Sequence, residues 1–128
     1  MANFKDLLNH KSPGYSSTIP IDIGDYKLSI QASQYHYCTP RKTHEDYSIY
    51  THMEIAIFKN DEWVHPSLDK LILKFNRYEE LVGFYEHVDQ ETYIGTYVPV
   101  DLIQALYEYL IEETEVINLW EWVEKNER

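Results

Sequence analysis

The stretch Val100-Asp101-Leu102-Ile103-Gln104-Ala105-Leu106-Tyr107-Glu108-Tyr109-Leu110-Ile111 decides the fold class. Val100, Ile103, Leu106, Tyr107, Leu110 and Ile111 recur at three- and four-residue spacing, so they line one stripe of an amphipathic helix. Pro99 stops whatever precedes it and suits a helix start. A second apolar set follows at helical spacing: Val116, Leu119, Trp120 and Val123. At about 100° per residue this set points away from the first. A straight helix over 100–126 therefore requires burial on two sides. The pattern predicts a break between 112 and 118, with Asn118 and Glu121 spaced as a weak form of capping box. The alternative is one long helix whose second apolar face waits for a partner.

Upstream of this helix the period changes from 3.6 to 2. Tyr26, Leu28, Ile30 and Ala32 alternate with Lys27, Ser29, Gln31 and Ser33, the mark of a half-buried strand. Continuing the alternation puts Tyr35 and Tyr37 on the buried side, with His36 and Cys38 together on the other. Met53, Ile55 and Ile57 define a second strand, and Lys59-Asn60-Asp61-Glu62 reads as a hairpin turn into a short third at Trp63-Val64-His65. Residues 82–88 and 92–98 read as two more, joined around Asp89-Gln90-Glu91. Residues 39–48 read as a polar loop. Residues 67–81 are ambiguous, with Leu68, Leu71, Ile72 and Phe75 at helical spacing behind a capping Ser67. Near the start, residues 3–9 read as a short amphipathic helix with Phe4, Leu7 and Leu8 on one side, followed by a turn at Ser12-Pro13-Gly14. The expectation is a single α+β domain over 1–128, with 1–20 as an irregular or short helical N-terminal segment. It would be built on an antiparallel sheet of four to five strands with C-terminal helices packed on it.

The 128 residues carry 22 acidic and 11 basic side chains, a formal net charge of −11. That balance argues against direct grip on nucleic acid, which needs a basic footprint, and against adsorption to an anionic membrane. No run of about 18 apolar residues offers a membrane span. A single cysteine, Cys38, excludes an internal disulfide and fits a reducing, cytoplasmic setting. The charge is unevenly spread. Residues 1–78 hold 9 acids and 9 bases, whereas residues 79–128 hold 13 acids against only Lys125 and Arg128. The whole excess lies in the last 50 residues.

Within that segment Asp101, Glu108, Glu112 and Glu115 fall outside the core stripe, about 10, 6 and 4–5 Å apart along the helix axis. A row of carboxylates at this spacing imitates the phosphate charge of a nucleic-acid backbone and would occupy the basic groove of a nucleic-acid-handling protein. Glu113, Glu121, Glu124 and Glu127 add charge nearby. Trp120 and Trp122 flank Glu121, so both cannot face one core, and an exposed Trp122 is a common binding anchor. The same acids also read as a solvated face that keeps the chain soluble. His36, Arg41 and Lys42 form a second candidate cluster, suited to a phosphate or other small anionic ligand, and equally readable as a solvated turn. His44, His52, His65 and His87 share no metal-ligand spacing with His36 or Cys38, and no base or oxyanion site accompanies Cys38 as a nucleophile. No catalytic residue, cofactor or metal is nominated.

The segments Ser29-Ile30-Gln31-Ala32-Ser33 into Tyr35-His36-Tyr37-Cys38-Thr39-Pro40-Arg41, and Tyr97-Val98-Pro99-Val100-Asp101-Leu102-Ile103, resemble small phage and mobile-element proteins of low-GC bacteria. Size, acidity and the content of 12 tyrosines are similar in character to anti-CRISPR and anti-restriction inhibitors. The resemblance implies a non-enzymatic inhibitor acting as a nucleic-acid mimic on a basic partner, a nuclease or nucleic-acid-binding effector. Two alternatives stand beside it: an immunity-type protein that neutralises a toxin nuclease, and a nucleotide-binding module using His36, Arg41 and Lys42. A homo-oligomer is compatible with each.

Overall fold

The computed structural model describes residues 2–9, 17–87 and 92–126. Six strands form one antiparallel sheet: β1 (Ile21–Ile23), β2 (Tyr26–Gln31), β3 (His52–Lys59), β4 (Glu62–Val64), β5 (Tyr85–His87) and β6 (Tyr93–Pro99). The path is β1-β2-β3-β6-β5, and β4 pairs with the end of β3 that β6 does not cover. A short helix α1 (Tyr78–Val82) and a long helix α2 (Val100–Asn126) complete the α+β fold. The sheet holds one strand more than expected. That strand, β1, sits in a stretch with no alternation long enough to read, and it forms because Gly24 (φ +57) closes a two-residue turn onto β2. The β3–β4 turn is equally tight, with Asn60 and Asp61 both at positive φ as a hairpin of mirror-image type demands.

The period-two reading of β2 and β3 corresponds to burial. Leu28, Ile30, Met53, Ile55 and Ile57 are all buried and pack with Val98 beneath α2. The extension of β2 through Tyr35 and Tyr37 does not occur. Ser33 ends the strand: its Oγ accepts from the Tyr35 N–H at 3.0 Å and its carbonyl from the His36 N–H at 3.2 Å. Such local bonds compete with the sheet ladder. The chain turns back, Tyr35 and Tyr37 face solvent, and Cys38 instead enters the core.

The ambiguous stretch 67–81 resolves into single turns at Pro66–Leu68 and Ile72–Lys74 followed by α1. Its cap is the His65 imidazole, which accepts from the Ser67 N–H. Residues 4–7 make one 3-10 turn with Phe4 and Leu8 buried and Leu7 exposed, so the expected stripe holds only in part. The turn expected at Ser12-Pro13-Gly14 and the join at Asp89-Gln90-Glu91 lie outside the described residues.

The expected break in the C-terminal helix is absent. α2 runs unbroken from Val100 to Asn126. Residues 112–118 contain neither Gly nor Pro, so nothing there interrupts the i to i−4 bonds, and Asn118 is an interior residue with no helix start to cap. The sheet therefore receives one helix, and only part of it. Leu102, Ile103, Leu106, Tyr107 and Leu110 are buried on the sheet. Beyond residue 114 almost every side chain is exposed.

Candidate functional site

Asp101, Glu108, Glu112 and Glu115 sit on the side of α2 opposite the buried stripe, whereas Glu121 and Glu124 point in the stripe's own direction, beyond the part of the helix that is buried. Asp101 is exposed but engaged: Arg77 Nη2 donates to its carboxylate at 3.0 Å and also bonds Glu80. Asp101 is thus tied to α1 and separated from the other acids. Glu108 is half-buried, and Glu112, Glu115, Glu121 and Glu124 are exposed. The outward side of α2 changes character along its length. The acids dominate through Glu115, and large apolar groups take over from Val116 onward.

That second portion is the least buried regular structure in the described chain. Val116, Ile117, Leu119, Trp120 and Trp122 are 47, 45, 60, 65 and 61 % exposed. Five large apolar side chains within about two helical turns, with Glu115, Glu121 and Glu124 among and beside them, form a projecting surface that is at once apolar and negative. An ordinary solvated helix face carries no such aromatic and aliphatic load. The spacing of Trp120 and Trp122 requires only that one of them leave the core, and both are exposed.

The His36, Arg41 and Lys42 region is built differently. His36 Nδ1 lies 2.7 Å from Ser33 Oγ, and its Nε2 lies 3.9 Å from a Glu54 carboxylate oxygen. Burial pushes His36 below its ordinary value and Glu54 above it, and the Arg41 charge lowers both. The order Ser, His, Glu suggests a catalytic triad on paper. The geometry defeats it, because Ser33 is fully buried and its Oγ already accepts from Tyr35 N–H. The assembly closes the Ser33 turn. Arg41 stacks its guanidinium on the Tyr37 ring at 5.1 Å, while the Lys42 carbonyl accepts from Tyr50 Oη at 2.5 Å. Burial also pushes the Cys38 thiol up, and its Sγ lies 3.3 Å from the Ser33 carbonyl, which leaves it a poor nucleophile. Among the described residues no three His, Cys, Asp or Glu side chains converge as a metal site requires. No helix of the described residues is long and apolar enough to cross a membrane.

One arrangement has no counterpart in the sequence pattern. Asp69 is buried and accepts from Tyr26 Oη at 2.9 Å and from the Leu71 and Ile72 N–H groups at 3.0 Å each. Lys59 Nζ stands 3.7 Å from the same carboxylate. This hub, with the Tyr109 hydroxyl donating to the Leu71 carbonyl, fixes the segment 69–72 against the sheet and α2. It places Lys70 and Lys74 beside Lys59 at a cleft of about 350 Å3 under the projecting part of α2. Lys59 ends β3 while Lys70 and Lys74 belong to the segment that follows the Pro66–Leu68 turn, so no spacing in the sequence announces the three together.

Comparison with known protein families, curated protein sequences and solved structures finds no match to this chain.

Proposed function

We propose that the chain is a non-enzymatic binding protein that docks the projecting end of α2 onto a basic partner. The observation that carries this is the exposure of Val116, Leu119, Trp120 and Trp122 on a helix that also displays Glu112, Glu115, Glu121 and Glu124. Large aromatic anchors ringed by charge are the composition of a binding hot spot. A second copy of the chain makes a poor occupant, since symmetric docking brings a net −11 against itself. A basic protein surface with an apolar groove is the complement.

Proteins that hold nucleic acid carry such basic surfaces, so the partner class is a nuclease or nucleic-acid-binding effector, and the protein is its inhibitor. Imitation of a phosphate row alone describes the surface less well, because Asp101 is paired with Arg77 and apolar groups continue the face beyond Glu115. The carboxylates steer and orient while the tryptophans anchor.

The test is affinity purification from the host lysate at low and high salt with three proteins: wild type, Trp120→Ala with Trp122→Ala, and Glu108→Lys with Glu112→Lys and Glu115→Lys. A nucleic-acid-handling protein is expected with the wild type, released by salt and lost in both variants, with the partner's activity inhibited by the wild type alone. Equal inhibition by all three overturns the reading. Immunity against a toxin nuclease uses the same surface, and the captured partner's identity separates it from an anti-defence inhibitor.

A further inference from the structure

We infer that the cleft beneath the projecting end of α2 is a binding site for a small phosphorylated ligand that carries free hydroxyls, such as a sugar phosphate or nucleotide. Three of the eleven basic residues of a strongly acidic chain line it: Lys59, Lys70 and Lys74. A volume of about 350 Å3 lies in the range of small-ligand sites.

The lysines are placed by structure. Lys59 is held between the Asp69 carboxylate at 3.7 Å and the Tyr26 ring at 5.2 Å. Lys70 and Lys74 ride on the segment pinned by the Asp69 hub and the Tyr109 hydroxyl, so their backbones are fixed before any ligand arrives. Neither makes an ion pair among the described residues. Two carboxylates, Asp25 and Glu121, line the same cleft and also stand apart from the lysines, with no ion pair between them. Opposite charges in one cleft that do not meet leave room for a group between them.

The chemistry of that group follows. Lysines that line one cleft from two segments of the chain suit a phosphate, which takes several charge-assisted hydrogen bonds at once. The carboxylates repel a second phosphate but accept hydrogen bonds from hydroxyls. Leu71 and Ile117 supply apolar wall on either side, enough for one face of a ring. A bare polyphosphate fits this mixture poorly, and a monophosphate on a hydroxylated ring fits it well. A ligand seated there also bridges the body to α2, since Ile117 and Glu121 belong to the projecting part of the helix. Of the residues of the proposed partner surface, only Glu121 among those named also lines this cleft, and none of the apolar anchors Val116, Leu119, Trp120 and Trp122 does.

Calorimetric titration of the whole chain with ribose 5-phosphate, ribose and inorganic phosphate tests the assignment. Ribose 5-phosphate is expected to bind saturably and more tightly than inorganic phosphate, and ribose not at all. The double variant Lys70→Ala with Lys74→Ala should lose about tenfold or more in affinity, the worth of one charge-assisted hydrogen bond. Its circular dichroism should match wild type, because both side chains are exposed. Arg41→Ala with Lys42→Ala should bind as wild type, and hydrogen exchange over residues 114–121 should slow on ligand addition. Absence of saturable binding by ribose 5-phosphate, equal binding of ribose, or a loss produced by the Arg41 and Lys42 variant and not by the Lys70 and Lys74 variant overturns the inference.

Discussion

The two halves of α2 have the same secondary structure and opposite surroundings. From Leu102 to Leu110 the helix sets five buried side chains against the sheet, where each large apolar group contributes about 1.5–3 kcal/mol by leaving water. From Glu115 to Trp122 a comparable apolar load stands in solvent, including two tryptophans. The first half is helical because packing makes it so. The second is helical because nothing in its sequence stops a helix already formed, since propagation is far easier than nucleation. Apolar periodicity therefore means core in one case and unpartnered surface in the other.

The sharpest way to break this contrast is to truncate equivalent leucines. Leu106→Ala, at a fully buried site, should cost about 2–5 kcal/mol in urea denaturation, whereas Leu119→Ala should stay within about 0.5 kcal/mol. Equal losses would mean that the projecting half is packed in solution.

The junction offers the next effect. A Cβ on Gly24 would lie 2.6 Å from Thr114 Cγ2, and the residue holds φ +57, so Gly24→Ala should destabilise by about 1–2 kcal/mol. The companion Thr114→Ser with Gly24→Ala should recover the part owed to the clash and leave the part owed to φ. Native-state hydrogen exchange should show the same boundary without mutation. Amides of 103–110 should exchange near the global unfolding rate and those of 119–126 much faster.

The smallest effect concerns an acid that the body, unlike the projecting helix, does bury. Burial raises the folded-state value of Glu54, so its contribution to stability is present at low pH and is lost as pH rises past the ordinary carboxylate range. Glu54→Gln should therefore gain on wild type over the interval in which pH rises from the ordinary carboxylate range upward. His36 is shifted the other way and loses stability as pH falls, but it is present in both proteins. A constant difference across that interval would show that Glu54 is solvated.

Much of the fold was legible because burial here is one-sided and the period is clean. Residues 26–31 and 53–57 alternate over a single core face, and 102–110 repeat at 3.6. Legibility failed where short-range polar bonds outcompeted pattern, as when Ser33 turned Tyr35 and Tyr37 outward. The acids and Trp122 of the candidate surface were visible as residue types, but their context was not. Arg77 occupies Asp101, and exposure of Trp120 depends on how far the sheet extends beneath α2. The lysine cleft was invisible, since Lys59, Lys70 and Lys74 meet only because Asp69 pins one segment beside another.

By itself, the sequence determined the α+β class, the strand faces and the concentration of all net charge in the last 50 residues, because these depend on composition and on local periodicity. Only the tertiary structure decided that α2 continues past the sheet and leaves its second apolar face uncovered. A helix wheel records which side chains share a direction, and whether anything lies in that direction is a property of the rest of the chain.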